Sequence, residues 1–156
     1  MTTTIASRLH AVHARIAKVV QSLDRQPDEI TLLAASKTNP AERVREAWLA
    51  GQRIFGENYL QEALAKMQAL ADVPIEWHFI GPIQSNKTKR IAENFAWVHS
   101  VDRAKIADRL SKDRSESLPP LQICLQVNVS GEASKSGSES DRSFDKRSAI
   151  FALSTL

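Results

Sequence analysis

The chain has 156 residues, 42% of them apolar and 25% charged, with a net charge of +3. That length fits one domain or part of a larger one, and the composition excludes collagen-like, mucin-like and wholly disordered chains. So mild a positive charge is no argument for nucleic acid, and no run approaches the roughly 18 apolar residues a membrane helix needs.

The first element reads as a helix. Ile5, Leu9, Val12, Ile16, Val19 and Leu23 recur at intervals of three and four and form one apolar stripe, expected to pack on a core. No apolar core followed by a small-residue cleavage site marks a signal peptide there. Pro27 and Asp28 turn the chain. Residues 30–37 form a short apolar strand ending at Lys37. Residues 40–51 read as a helix, with Pro40 at its start and Gly51 at its end. Further strands are expected over 53–58, 76–82, 97–101 and 121–129, and further helices over 59–71, 84–95 and 103–113.

The strand starts fall near residues 31, 54, 76, 97 and 121, which is 21–24 residues apart. Strands that alternate with helices imply an α/β fold with a parallel sheet. An open doubly wound sheet and a closed (β/α)8 barrel both fit, and the even spacing favours the barrel. A full barrel takes roughly 200 residues or more, so about five βα units would make a partial one. After Gly137 the rhythm stops. Residues 138–156 begin rich in serine and charge, a shift towards disorder, and end in the apolar AIFALSTL.

Lys37 is the first candidate for chemistry. In parallel α/β folds the carboxyl ends of the strands form the ligand face. A lysine desolvated there has a lowered pKa and offers a neutral amine for Schiff-base formation with a carbonyl. The plainer reading is a lysine reaching out to solvent. Alternation puts Thr31, Leu33, Ala35 and Lys37 on one face of their strand. In the fifth strand Gln122, Cys124, Gln126 and Asn128 alternate with Leu121, Ile123, Leu125, Val127 and Val129. If the aliphatic face meets helices, the polar face lines a barrel interior; an edge strand with one wet face is the other reading.

The second strand ends in Gly56, Glu57, Asn58 and Tyr59. Glycine allows a close approach of backbone to ligand, and Asn58 both donates and accepts hydrogen bonds. A helix cap is the ordinary alternative. The third strand carries His78 and leads to Gly81, Gln84 and Asn86, then to the basic cluster Lys87, Lys89 and Arg90. That cluster could hold phosphate or RNA, but such runs are usually solvated faces, and no aromatic residues are interleaved for base stacking. His10 and His13 lack the partners that would complete a metal site. No P-loop or GxGxxG pattern is present. Cys124, the one cysteine, excludes an internal disulfide framework, suits a reducing cytoplasm and lies inert within a strand.

Together, LLAASKTNP, FGENYLQEALAK, IEWHFIGPIQSNKTKR, VHSVDRAKIADRL and LQVNVSGEASKSG, in that order, resemble the pyridoxal phosphate homeostasis protein family, also called the YggS or PROSC family. The resemblance covers about residues 5–137. It implies a (β/α)8 barrel of the alanine racemase N-terminal-domain type. It also implies that residues 1–137 are the N-terminal part of a barrel that binds pyridoxal 5′-phosphate (PLP). Family members act in vitamin B6 and amino-acid homeostasis rather than in a defined catalytic reaction.

By the same resemblance Lys37 carries PLP as a Schiff base and Asn58 lies near the cofactor ring. His78 sits at the barrel mouth, and Lys135 faces the cofactor from the rim. PLP would be a cargo, accepted reversibly and handed to apo-enzymes. Family members continue past the KSG motif for roughly another hundred residues, which supply the phosphate-holding segments. Residues 138–156 do not resemble the family, and a reading frame truncated or shifted after Gly137 is the expectation. A partial barrel would expose sheet edges, giving a monomer or weak self-association. Two other readings stand beside this one. A racemase of the same barrel class needs a second acid or base opposite the lysine, and Tyr59 is not obviously placed for it. A fragment that fails to retain PLP would have no activity at all.

Overall fold

The computed structural model describes residues 4–128 and Gly137. Helix α1 spans Ile5–Ser22 and is capped by Thr4, whose hydroxyl accepts the Ser7 amide. A 3-10 turn, Pro27–Glu29, leads to strand β1, Ala34–Ala35. The remaining elements alternate: α2 (Ala41–Leu49), β2 (Ile54–Glu57), α3 (Leu60–Ala69), β3 (Glu76–Phe79), α4 (Thr88–Asn94), β4 (Trp97–Val101), α5 (Ala104–Asp113) and β5 (Gln122–Leu125). The five strands form one sheet in the order β1-β2-β3-β4-β5, and every pair is parallel. The chain therefore has the α/β architecture of a partial (β/α)8 barrel, with each strand beside its predecessor.

The elements sit where the spacing placed them, but the strands are shorter. Of residues 30–37 only Ala34 and Ala35 pair in the sheet. The helix expected over 84–95 begins at Thr88, because Ser85 to Lys87 form a turn in which the Lys87 amide donates to the Gln84 carbonyl. Gly51 closes the α2 end with φ +103°, a conformation a side chain would strain.

The core lies between the sheet and the helices. Phe55, Trp77, Phe79 and Val98 point from β2, β3 and β4 onto Val44, Leu60, Ala63, Ile91, Ile106 and Leu110 of α2 to α5. The Phe79 ring meets Phe95 edge-on at 5.3 Å. Leu121 and Ile123 pack against this core, as the alternation in β5 requires, but Leu125 and Val127 are exposed.

One expectation fails. The α1 stripe does not face a core: Val12, Val19 and Leu23 are exposed, and among α1 residues only Val20 is buried. The reason is geometric. Helix α1 leans on α2 and on the 3-10 turn, so one edge is covered while the stripe borders an open apolar groove with Ile30.

Candidate functional site

Because all strands run parallel, their carboxyl ends lie on one side of the sheet. Lys37 follows β1, Asn58 follows β2 and Gly81 follows β3, so these three share that end. Alternation places Ala35 and Lys37 on the face away from the helices, with Ile54, Gly56 and His78. The register fixes their levels. Ala35, Gly56, His78 and Trp97 are successive partners across four strands. Lys37, Asn58 and His99 each lie two residues beyond that row, nearer the carboxyl end.

Lys37 is exposed, not desolvated as its apolar strand led us to expect. The strand stops at Ala35, and the lysine rides on a turn outside the packed layer. In that turn the Ser36 carbonyl accepts the Asn39 amide at 3.0 Å, and the Lys37 carbonyl accepts from Thr38 Oγ1 at 2.6 Å and Asn39 Nδ2 at 3.2 Å. Thr38 takes φ +64°, a left-handed conformation unusual for a β-branched residue.

Behind the turn lies a buried polar network that the sequence analysis did not single out. Lys66 of α3, 5% exposed, donates to the Ser36 carbonyl at 2.8 Å, to Glu57 Oε1 at 2.8 Å and to Glu62 Oε1 at 2.7 Å. Three acceptors match the three protons of an ammonium group. Ser36 Oγ donates to Glu57 Oε1 at 2.6 Å, and the Thr38 amide donates to Glu62 Oε1 at 2.8 Å. The hydrogen bond from Lys66 is the main reason the Glu62 carboxyl titrates below its ordinary range. Glu57 Oε2 is buried with no hydrogen-bond partner among the described residues.

A signal for this network was present. Glu57 shares its strand face with the core residue Phe55, and Lys66 falls on the α3 stripe between Ala63 and Leu70. Two opposite charges on two facing apolar surfaces have to meet.

Gly81 fixes the neighbouring strand ends. A Cβ there would collide with the Asn58 carbonyl oxygen, so only glycine lets the chain after β3 run against the backbone of Asn58. The Gly81 carbonyl in turn accepts a short hydrogen bond from Ser100 Oγ. Asn58 is half-buried at this junction.

His78 is buried within β3, one row below Lys37. Its Nε2 bonds Glu76 Oε1 at 2.8 Å and its Nδ1 lies 2.9 Å from Nε2 of His99. Its ring stacks on Trp97 with centroids 5.6 Å apart. Burial pushes the pKa of both histidines down; Glu76 partly opposes this at His78, and the His78 charge adds to it at His99. His99 was missed as a candidate, although it sits in the row of Lys37. Among the described residues no three His, Cys, Asp or Glu side chains form a metal-binding group. Tyr59 is 58% exposed at the α3 start. Lys135 and residues 138–156 lie outside the described residues.

The family model for the alanine racemase N-terminal domain matches residues 7–152, so fold and sequence agree on the class. The chain belongs to the pyridoxal phosphate homeostasis protein family, built on that domain. A protein of that name from Pseudomonas aeruginosa is 66% identical over 134 residues, covering 86% of this chain and 58% of the relative. Its namesake from Escherichia coli is 51% identical over 136 residues, covering 85% and 58%. In Vibrio alginolyticus the match is 48% over 157 residues, covering 98% and 67%.

Among solved structures, PipY of Synechococcus elongatus without PLP superposes with a TM-score of 0.69 at 39% identity, covering 80% of this chain and 58% of that one. PipY with PLP bound gives 0.64 at 38% identity, covering 90% and 63%. The chain thus spans a little over half the length of the P. aeruginosa and E. coli relatives. No helix among the described residues is long and apolar enough to cross a membrane.

Proposed function

We propose that the chain is a PLP-binding protein of intracellular vitamin B6 homeostasis, holding PLP reversibly on Lys37. The observation that carries this is the position of Lys37. Lys37 is exposed at the carboxyl end of β1, with Asn58 and Gly81 at the same end. An accessible primary amine is what an aldehyde requires. The amine nitrogen adds to the aldehyde carbon, a carbon–nitrogen double bond forms, and the aldehyde oxygen leaves as water. Hydrolysis reverses each step, which suits a cargo passed on to apo-enzymes.

The residues present fit such a ligand. Gly81 removes the side chain that would hold the β2 and β3 ends apart, and Asn58 offers both donor and acceptor beside the amine's strand. His78, one row below, supports the floor through His99. Lys135, outside the described residues, assists transfer if it follows the family motif. The names of the relatives and the PLP-bound PipY structure support the same reading.

The test is an absorbance spectrum of the purified chain after incubation with PLP and desalting, followed by borohydride reduction and peptide mapping. Retained absorbance in the visible range, with the reduced pyridoxyl group on Lys37 and none in Lys37→Ala, is the expected result. Desalting that removes all PLP from a folded, soluble chain would overturn the proposal.

A further inference from the structure

We propose that Lys66, with Glu57 and Glu62, is the positioning element for Lys37: it clamps the backbone on both sides of the attachment lysine from behind the sheet. The inference rests on Lys37 as the point of attachment. The network does not touch the Lys37 amine. It holds Ser36 through the carbonyl and hydroxyl, and Thr38 through the amide. These are the two neighbours of Lys37, and both are tied to one ammonium group through hydrogen bonds of 2.6–2.8 Å.

The chemistry gives this arrangement a purpose beyond burial. A buried ammonium and a buried carboxylate, with the half-buried Glu62 beside them, are costly unless every group is well paired, and Glu57 Oε2 is left over even so. An apolar trio would fill the space between β2 and α3 without that cost. What an apolar trio cannot do is hold Thr38 at φ +64°, a strained conformation that persists only where its surroundings dictate it. With Ser36 and Thr38 fixed, the backbone of Lys37 has one orientation at the carboxyl end of β1. Attack on an aldehyde held nearby then depends only on side-chain torsions, and alignment of that kind accounts for large rate factors.

The experiment is site-resolved labelling of the full chain. Wild type, Lys66→Met, Glu62→Ala and Glu62→Gln are exposed briefly to limiting PLP and reduced with borohydride. Pyridoxyl incorporation at Lys37 is then counted against exposed Lys105 of α5 in the same digest. The ratio cancels differences in concentration and in general amine reactivity. Wild type should favour Lys37 at least tenfold. Lys66→Met should lose most of that preference, and Glu62→Ala a smaller part of it. Glu62→Gln keeps an acceptor for Thr38 and Lys66 and should restore the wild-type ratio.

Circular dichroism checks folding. If Lys66→Met does not fold, Glu62→Ala decides, since Glu62 is already 34% exposed. A wild-type preference for Lys37 that survives unchanged in the folded variants overturns the positioning role alone. No preference for Lys37 in wild type overturns the attachment reading, and the positioning role with it.

Discussion

Nδ1 of His78 lies 2.9 Å from Nε2 of His99, and the far nitrogen of His78 meets Glu76. The carboxylate dictates the protons. An ionised Glu76 accepts from Nε2–H of His78, so a neutral His78 has a bare Nδ1, which accepts Nε2–H of His99. That leaves His99 Nδ1 as an acceptor on the row of Lys37. One added proton on His78 reverses the shared bond and turns His99 Nδ1 into a donor.

This pair should make stability fall in mild acid. Both pKa values are lowered from 6.5 by burial, so the unfolded chain binds protons more readily than the folded one. The stabilisation is complete above about pH 6.5 and is lost as pH falls from there through the lowered folded values. The urea midpoint should be lower at pH 5.5 than at pH 7.5. The difference should shrink in His78→Gln/His99→Gln. Glu62 and Asp72, held below their ordinary values, titrate at lower pH and do not confuse this window. Equal midpoints in wild type would refute the assignment.

Gly81→Ala should be severe. The new methyl would collide with the backbone of Asn58, which cannot move as a side-chain tip can. Forced repacking of this kind costs roughly 1–3 kcal/mol, or about 2–12 °C in melting temperature at this chain length. A thermal melt within 1 °C of wild type (about 0.3 kcal/mol) would mean the strand ends are looser than described.

Neighbouring valines on α1 should behave differently. Val20 is 4% exposed and Val19 56%. Val20→Ala should cost about 1–2 kcal/mol for its buried methyl groups. Val19→Asn should stay within about 0.5 kcal/mol. Chemical denaturation of the two variants reads the contrast directly, and equal losses would place the stripe against a core after all.

Cys124 should react slowly. Burial pushes its thiol pKa up, which lowers the thiolate fraction at neutral pH. Iodoacetamide at pH 8 should alkylate it severalfold more slowly than a cysteine in a short peptide. Reaction at the peptide rate would show an accessible thiolate.

Much of the fold was legible because period and spacing are local properties. The strand starts recur every 21–24 residues, and Pro40 and Gly51 bracket α2. Burial of the α1 stripe was not legible, since a stripe reveals an apolar face but not which elements reach it. Lys37 was found from its place at a strand end, yet its exposure depended on where pairing stopped. The pairing of Glu57 with Lys66 and of His78 with His99 joins residues from different elements. Each was visible in the sequence as an isolated polar residue, and only the register brings the partners together.

The strand order also bears on how the chain comes into being. Every strand pairs with the one synthesised just before it, so each βα unit can dock as it emerges from the ribosome, with few long loops to close. Lys37 emerges among the first of these segments. Its clamp arrives later, because Lys66 lies 30 residues beyond Ser36. For that interval the amine is present but unaligned, and α3 is the helix whose docking converts an ordinary lysine into a placed one.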